Sequence, residues 1–153
     1  MVYPIASDRA AGSRIWDVDG NEYIDLVSGY GVTFFGHTPD FIIREVEAQL
    51  RKTAAIGPQT PLAGEVTKLV CEMVGMDRAA LCNTGSEAVL AAIRMARTVT
   101  GKRRLATFSG HYHGIFDEVL VKGVNVRGER KSLPISPGIR ADVVADVLVL
   151  DYG

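Results

Sequence analysis

The sequence predicts an α/β fold: a parallel-rich sheet flanked by helices and preceded by an N-terminal hairpin and helix. Three observations carry this. Residues 78 to 109 read as strand, helix and strand, in about 30 residues, the length of a right-handed βαβ unit with parallel strands. Residues 143 to 150 contain Val147-Leu148-Val149-Leu150, an uninterrupted apolar run of the kind a buried parallel strand shows. Residues 14 to 27 place Asp19-Gly20 between two short alternating runs, a strong hairpin signal.

The elements follow in order. After the hairpin, residues 28 to 37 (SGYGVTFFGH) mix three glycines with three aromatics. That is too irregular for a helix and too apolar for a surface loop, so a folded-in loop is expected. Ile42, Ile43, Val46 and Leu50 then recur at helical spacing opposite Arg44, Glu45, Glu47 and Arg51, predicting an amphipathic helix from 40 to about 53. Residues 54 to 64 carry two prolines and two glycines and read as a loop. A second helix of about 12 residues closes on Gly75. Residues 78 to 82 form a short apolar strand, 83 to 86 a turn, 87 to 100 a helix closed by Gly101, and 104 to 109 a second strand. The helix is Ala-rich and apolar over most of its circumference, so cover on more than one side is expected. From 122 to 142 the composition turns to Gly, Pro and charge, the signature of a lid, binding loop or mobile excursion.

Composition removes several function classes. With 153 residues, 47% hydrophobic and 23% charged, the chain is long enough for one globular domain with a core. A net charge of -1 gives no electrostatic reason to expect nucleic acid or an anionic membrane as partner. No window approaches the roughly 18 apolar residues of a membrane span, and the opening residues lack a signal peptide's apolar core. Cys71 and Cys82 are too few for a disulfide framework, and reduced thiols favour a cytoplasmic location.

The chemistry concentrates in two stretches. Asn83-Thr84-Gly85-Ser86-Glu87 joins the end of a strand to the start of a helix, where open α/β sheets place ligands. Thr84 and Glu87 have capping-box spacing and would satisfy each other's amides. The amides of Gly85 and Ser86 would then stay free at the positive end of the helix dipole, which suits a phosphate. A plain helix cap is the alternative reading of this stretch alone. The second stretch, Ser109-Gly110-His111-Tyr112-His113-Gly114, follows a strand at the same sheet edge, and an aromatic flanked by glycines can lie flat against a planar ligand. A core Tyr with hydrogen-bonded His neighbours is the alternative. His111 and His113, with Cys82 or His37, could be taken for metal ligands, but the spacing matches no structural zinc site and no metal is expected. Neither G-x-G-x-x-G, nor the P-loop pattern, nor G-x-S-x-G occurs.

Taken in order, these motifs resemble the class III aminotransferases, pyridoxal phosphate enzymes of fold type I that include glutamate-1-semialdehyde aminomutase. The resemblance runs through the hairpin at residues 15 to 25, Gly36-His37, the loop Asn83-Thr84-Gly85-Ser86-Glu87-Ala88, and Tyr112-His113-Gly114. Within the family the chain is most similar to aminotransferase domains of polyketide and nonribosomal peptide assembly lines, through Gly57-Pro58-Gln59, residues 82 to 89 and Phe116-Asp117-Glu118-Val119. The resemblance implies pyridoxal 5'-phosphate as cofactor, with Thr84, Gly85 and Ser86 around its phosphate, Tyr112 stacked on its ring and His113 beside it. It implies that Tyr30 faces the substrate and that residues 57 to 60 approach the partner subunit of a homodimer. It also implies residues 1-54 as a hairpin and helix segment and 55-153 as the first part of the cofactor-binding large domain. The partners implied are an amino donor and a carbonyl acceptor, the latter a carrier-bound β-keto acyl thioester on an acyl carrier protein.

One departure stands out. The family uses a Schiff-base lysine and an aspartate at the pyridine nitrogen, both well downstream of the region covered here. The five lysines, Lys52, Lys68, Lys102, Lys122 and Lys131, stand in no matching context, and each reads as a solvated charge rather than a desolvated nucleophile. No catalytic residue is therefore expected within these residues, and the chain is expected to be the N-terminal portion of an enzyme. A non-catalytic phosphate-binding scaffold is the alternative, as is an aminomutase-like enzyme.

Overall fold

The computed structural model describes residues 4–53 and 60–152, and the chain forms two compact units, Met1–Gln59 and Thr60–Gly153. The expectations for Gly57, Pro58 and Gln59, and the boundary between 54 and 55, lie outside the described residues.

The first unit holds an antiparallel sheet of β1 (Ser7–Ala11), β2 (Arg14–Asp17) and β3 (Glu22–Ile24) in that spatial order. The hairpin forms where Asp19-Gly20 predicts it, with Gly20 at φ 85°. β1 was not foreseen because Ser-Asp-Arg-Ala-Ala has no apolar alternation. It is held by its ladder to β2 and by the Arg9 guanidinium, 3.6 Å over the Trp16 ring. The hairpin turn is organised by buried Asp17. Its carboxylate accepts from the amides of Asp19 and Asn21 at 3.0 and 2.8 Å, the Asn21 side chain at 3.0 Å and the Tyr23 hydroxyl at 2.8 Å.

These bonds, the Asn21 side chain's foremost, hold the Asp17 carboxyl below the usual range. The contribution to stability is therefore complete above the ordinary carboxylate pKa and is lost as pH falls through the lowered folded value. In urea titrations across the acid range, Asp17→Asn is expected to flatten the acid-side loss of stability relative to the parent. An unchanged slope would count against this role.

Helix α1 (Asp40–Lys52) begins with Asp40 and ends with Arg51 and Lys52, each sign matching its end of the helix dipole. The folded-in loop expected at 28 to 37 is not found. Leu26, Tyr30, Val32 and Phe34 stand exposed, because Ser28, Gly29 and Tyr30 take left-handed backbone angles in succession and turn outward. Phe34, Phe35 and Phe41 pack edge-on against one another at 5.4 and 5.7 Å.

The second unit begins with α2 (Pro61–Val74), with Pro at its start and left-handed Gly75 as its C-cap. Next comes α3 (Gly85–Thr100), closed by left-handed Gly101. β4 (Leu105–Phe108) pairs in parallel with β7 (Val147–Leu150), from Leu105 opposite Val147 to Phe108 opposite Leu150. Residues 78 to 82 are not a strand. A strand exists through its ladder, and among the described residues none pairs with this run, so the parallel partner of β4 is β7. The later apolar run is a strand only from Val147, since 143 to 146 are turns.

The excursion expected at 122 to 142 is largely an antiparallel hairpin, β5 (Val121–Val126) and β6 (Glu129–Pro134), around Arg127-Gly128 with φ 52° and 84°. Two of the three inward positions on β6, Arg130 and Ser132, are polar, which hides the alternation. Ser132 Oγ donates to the Val147 carbonyl, and Arg130 makes a two-armed ion pair with Asp151 at 2.9 and 2.5 Å. Val119, Ile139, Val144, Val147 and Val149 form the core together with Ile93. Of α3 only Ile93 is buried, not several sides as expected, because a two-stranded parallel sheet is narrower than the helix's apolar circumference. No helix among the described residues is long and apolar enough to cross a membrane.

Candidate functional site

The start of α3 carries the predicted capping box. Thr84 Oγ1 accepts from the Glu87 amide at 3.2 Å, and Glu87 Oε2 accepts from the Thr84 amide at 3.0 Å. The same carboxylate oxygen takes the Asn83 amide at 2.8 Å. Among the described residues the amides of Gly85 and Ser86 meet no acceptor, which is the usual state of a helix's first donors. A Cβ built on Gly85 would meet nothing within 4 Å beyond its chain neighbours and its own helix backbone. Two free N–H groups at the positive end of a 16-residue helix form an oxyanion cradle.

The second stretch is carried beside the first by a contact that its letters do not reveal. Ser86 Oγ accepts from the Ile115 amide at 3.2 Å, leaving its own hydroxyl proton to donate. Gly114, at φ 125°, lies so close that a Cβ there would come within 2.9 Å of Ser86 Oγ and 3.2 Å of its Cα. No signal in the letters points to this approach or to Ile115. The loop is also tied to the sheet, since the Ser109 amide donates to the Leu150 carbonyl at 2.7 Å.

On this loop Tyr112 is 74% exposed and so offers an open ring face. His111 and His113 stack with near-parallel rings 6.3 Å apart. His113 Nε2 is buried without a hydrogen-bond partner among the described residues, an exception to the usual pairing of buried polar atoms. A cavity of about 290 Å³ runs along residues 109–114 and is closed by Val119, Val121, Lys122 and Ile135. A larger open groove of about 630 Å³ follows α2 and the turn after it. Charged side chains line it, including the Lys68–Glu72 pair at 3.9 Å. Among the described residues no three His, Cys, Asp or Glu side chains gather as a metal would need.

Thr84, Gly85, Ser86, Tyr112 and His113 therefore belong to one unit, joined where Ser86 meets Gly114 and Ile115. Tyr30 belongs to the other unit, where it is 97% exposed. Of the lysines, Lys122 borders the cavity from β5 with an exposed side chain. Lys52 ends α1, and Lys68 and Lys131 are exposed partners of Glu72 and Glu129.

The second unit thus carries a capped helix start with two amides unpaired among the described residues and, tied to it through Ser86, a loop with an exposed tyrosine. The family model described as Aminotransferase class-III matches residues 1–143, and the chain belongs to that family. It is 37% identical to the glutamate-1-semialdehyde 2,1-aminomutase of Chloroflexus aggregans, over 97% of this chain and 34% of that protein. It is 36% identical to the same enzyme of Aquifex aeolicus, over 97% of this chain and 35% of that one. Among solved structures, an omega-transaminase from Sphaerobacter thermophilus superposes with a TM-score of 0.90 at 32% identity, covering 99% of this chain and 36% of that chain. The architecture is thus that of the fold type I transaminases, and the chain spans about a third of the length of the curated relatives it matches.

Proposed function

We propose that this chain is the N-terminal third of a pyridoxal phosphate-dependent enzyme that moves an amino group between an amino donor and a carbonyl acceptor. The observation that carries the reading is the capping box that leaves the Gly85 and Ser86 amides free, with the Tyr112 loop anchored on Ser86 through Gly114 and Ile115.

When bound, the cofactor supplies the reactive carbonyl and the electron sink. The chain's own residues bind and orient. The Gly85 and Ser86 amides and the hydroxyls of Ser86 and Thr84 would hold the phosphate, and the exposed Tyr112 ring would supply a stacking partner for the pyridine. His113 Nε2 is available to a polar group at the cofactor's edge, and Tyr30 faces the substrate. The Schiff-base lysine comes from outside these residues, in keeping with the exposed positions of the lysines here.

The finer reading takes the acceptor to be a β-keto acyl thioester on an acyl carrier protein and the enzyme to be a cytoplasmic homodimer, with residues 57 to 60 near the partner subunit. Its support is the similarity of Gly57-Pro58-Gln59, residues 82 to 89 and residues 116 to 119 to assembly-line domains. The aminomutase relatives at 36 and 37% identity favour a second reading, transfer within one substrate. Assays of the full-length protein with glutamate-1-semialdehyde and with a carrier-bound β-keto thioester separate the two.

The common reading is tested by calorimetry with pyridoxal phosphate and with pyridoxal. The phosphate form alone is expected to bind tightly. Equal binding of both, or of neither by folded protein, would leave a scaffold. Tyr112→Ala is expected to weaken cofactor binding by about tenfold, the order of a lost aromatic stacking contact.

A further inference from the structure

We infer that Asp25 and His37 are positioning residues for Tyr30: they hold the left-handed turn that presents its ring to the amino substrate. The inference rests on the reading of Tyr30 given above and assigns the device behind it.

Ser28, Gly29 and Tyr30 have φ of 50°, 55° and 57°. Two of the three carry a Cβ, and such angles persist in L-residues only where the surroundings over-determine them. Packing of the Tyr30 ring does not do so, for the residue is 97% exposed. Its direction is set by the backbone, and the backbone is set by Asp25.

Asp25 Oδ1 accepts from the amides of Val27 and Ser28, each at 2.9 Å, and these two donors open the turn. Asp25 Oδ2 lies 2.8 Å from His37 Nε2. The carboxylate is itself only 8% exposed, and the Asp25 amide donates to the Ser13 carbonyl at 2.8 Å. The bond from the Ser28 amide, then the His37 ring and the Val27 amide, hold its carboxyl below the ordinary range, so it is an ionised acceptor near neutrality.

His37 is fixed in turn. Its amide donates to the Gly12 carbonyl at 2.8 Å, and its carbonyl accepts from the Gly12 amide at 3.0 Å. Gly36 beside it has φ 83°, and a Cβ there would lie 3.1 Å from Gly12 backbone atoms. A continuous chain of contacts therefore runs from the Gly12 turn through His37 and Asp25 to the strained turn at 28 to 30. A surface turn without a task would relax; this one is held from two sides by groups that touch no ligand.

The test is a double-mutant cycle in the full-length holoenzyme with Asp25→Ala, Asp25→Asn and Tyr30→Ala. Asp25→Ala is expected to raise KM for the amino substrate by about tenfold, the scale of a displaced positioning group, with the cofactor dissociation constant unchanged. Hydrogen exchange at the Val27 and Ser28 amides should accelerate. Asp25→Asn keeps an acceptor and should recover most of both effects. Adding Asp25→Ala to Tyr30→Ala should raise KM no further, because the interaction would already be gone.

Additive effects, or faster exchange with KM unmoved, would overturn the inference while leaving the enzyme reading intact. If Asp25→Ala does not fold, the isosteric Asp25→Asn and His37→Gln carry the cycle, and the absence of any KM change in both overturns it. A parent protein that binds no pyridoxal phosphate overturns the function reading and this inference together.

Discussion

Gly85→Asp is expected to weaken pyridoxal phosphate binding by about a hundredfold while leaving the fold as stable as the parent. Beyond its chain neighbours and its own helix backbone, no atom lies within 4 Å of the position its Cβ would take, so the substitution meets no steric obstacle. An acidic residue in the first turn of a helix is favourable to the helix dipole, so thermal unfolding should move little. The new carboxylate, however, would stand at the opening where the Gly85 and Ser86 amides await an anion. Two like charges about 4 Å apart repel by about 4 kcal/mol at an effective dielectric near 20. Partial screening leaves about 3 kcal/mol, which is a hundredfold in affinity. Calorimetry reads the loss and differential scanning the unchanged fold. Undiminished affinity would place the phosphate somewhere other than the start of α3.

Gly114→Val should have the opposite signature, a large stability loss that also takes the cofactor site with it. At φ 125° a side chain is strained whatever the space, and here the space is filled: Ser86 Oγ would lie at 2.9 Å and a Phe116 ring carbon at 3.2 Å. Strain of about 1–3 kcal/mol combined with overpacking of about 1–3 kcal/mol points to a loss of about 3 kcal/mol or more in urea unfolding. Gly110→Ala is the control, for φ there is 79° with nothing within 4 Å. That variant should lose only the strain, about 1 kcal/mol. Equal losses in the two would remove the Ser86 contact from the account.

How much of this was legible in the letters depends on how local each feature is. The capping box is a three-residue relation between Thr84 and Glu87, so the spacing alone implied both hydrogen bonds. The same holds for the Asp19-Gly20 turn and for the glycines that close α2 and α3. The approach of Gly114 to Ser86 is a tertiary fact. It depends on where β4 delivers the loop, and nothing within either motif encodes it. The hairpin β5–β6 escaped because two of the inward positions on β6, Arg130 and Ser132, are polar and find their partners on Asp151 and Val147. A pattern reading equates inward with apolar. The run at 78 to 82 failed in the reverse sense, having the composition of a strand without a ladder among the described residues. The Asp25–His37 contact joins two segments that are read separately, one as hairpin and one as loop; the letters mark His37 as a possible metal ligand and as part of Gly36-His37, and nothing in them pairs it with Asp25.

The parallel pairing of β4 with β7 has a consequence for the order in which the molecule assembles. Hairpins such as β5–β6 bring neighbouring residues together and form within about 1–10 μs. Joining Phe108 to Leu150 must close the whole intervening loop before any ladder bond rewards it. The two-stranded parallel sheet is therefore expected to be the slow step of the second unit's folding, after the hairpin has already taken shape. Because Ser109 hangs from the Leu150 carbonyl, the loop that carries Tyr112 gains its tie to the sheet only at that step. During synthesis the Thr84–Glu87 capping box can form as soon as α3 has left the ribosome, whereas the tie of the Tyr112 loop to the sheet has to wait for β7 to emerge.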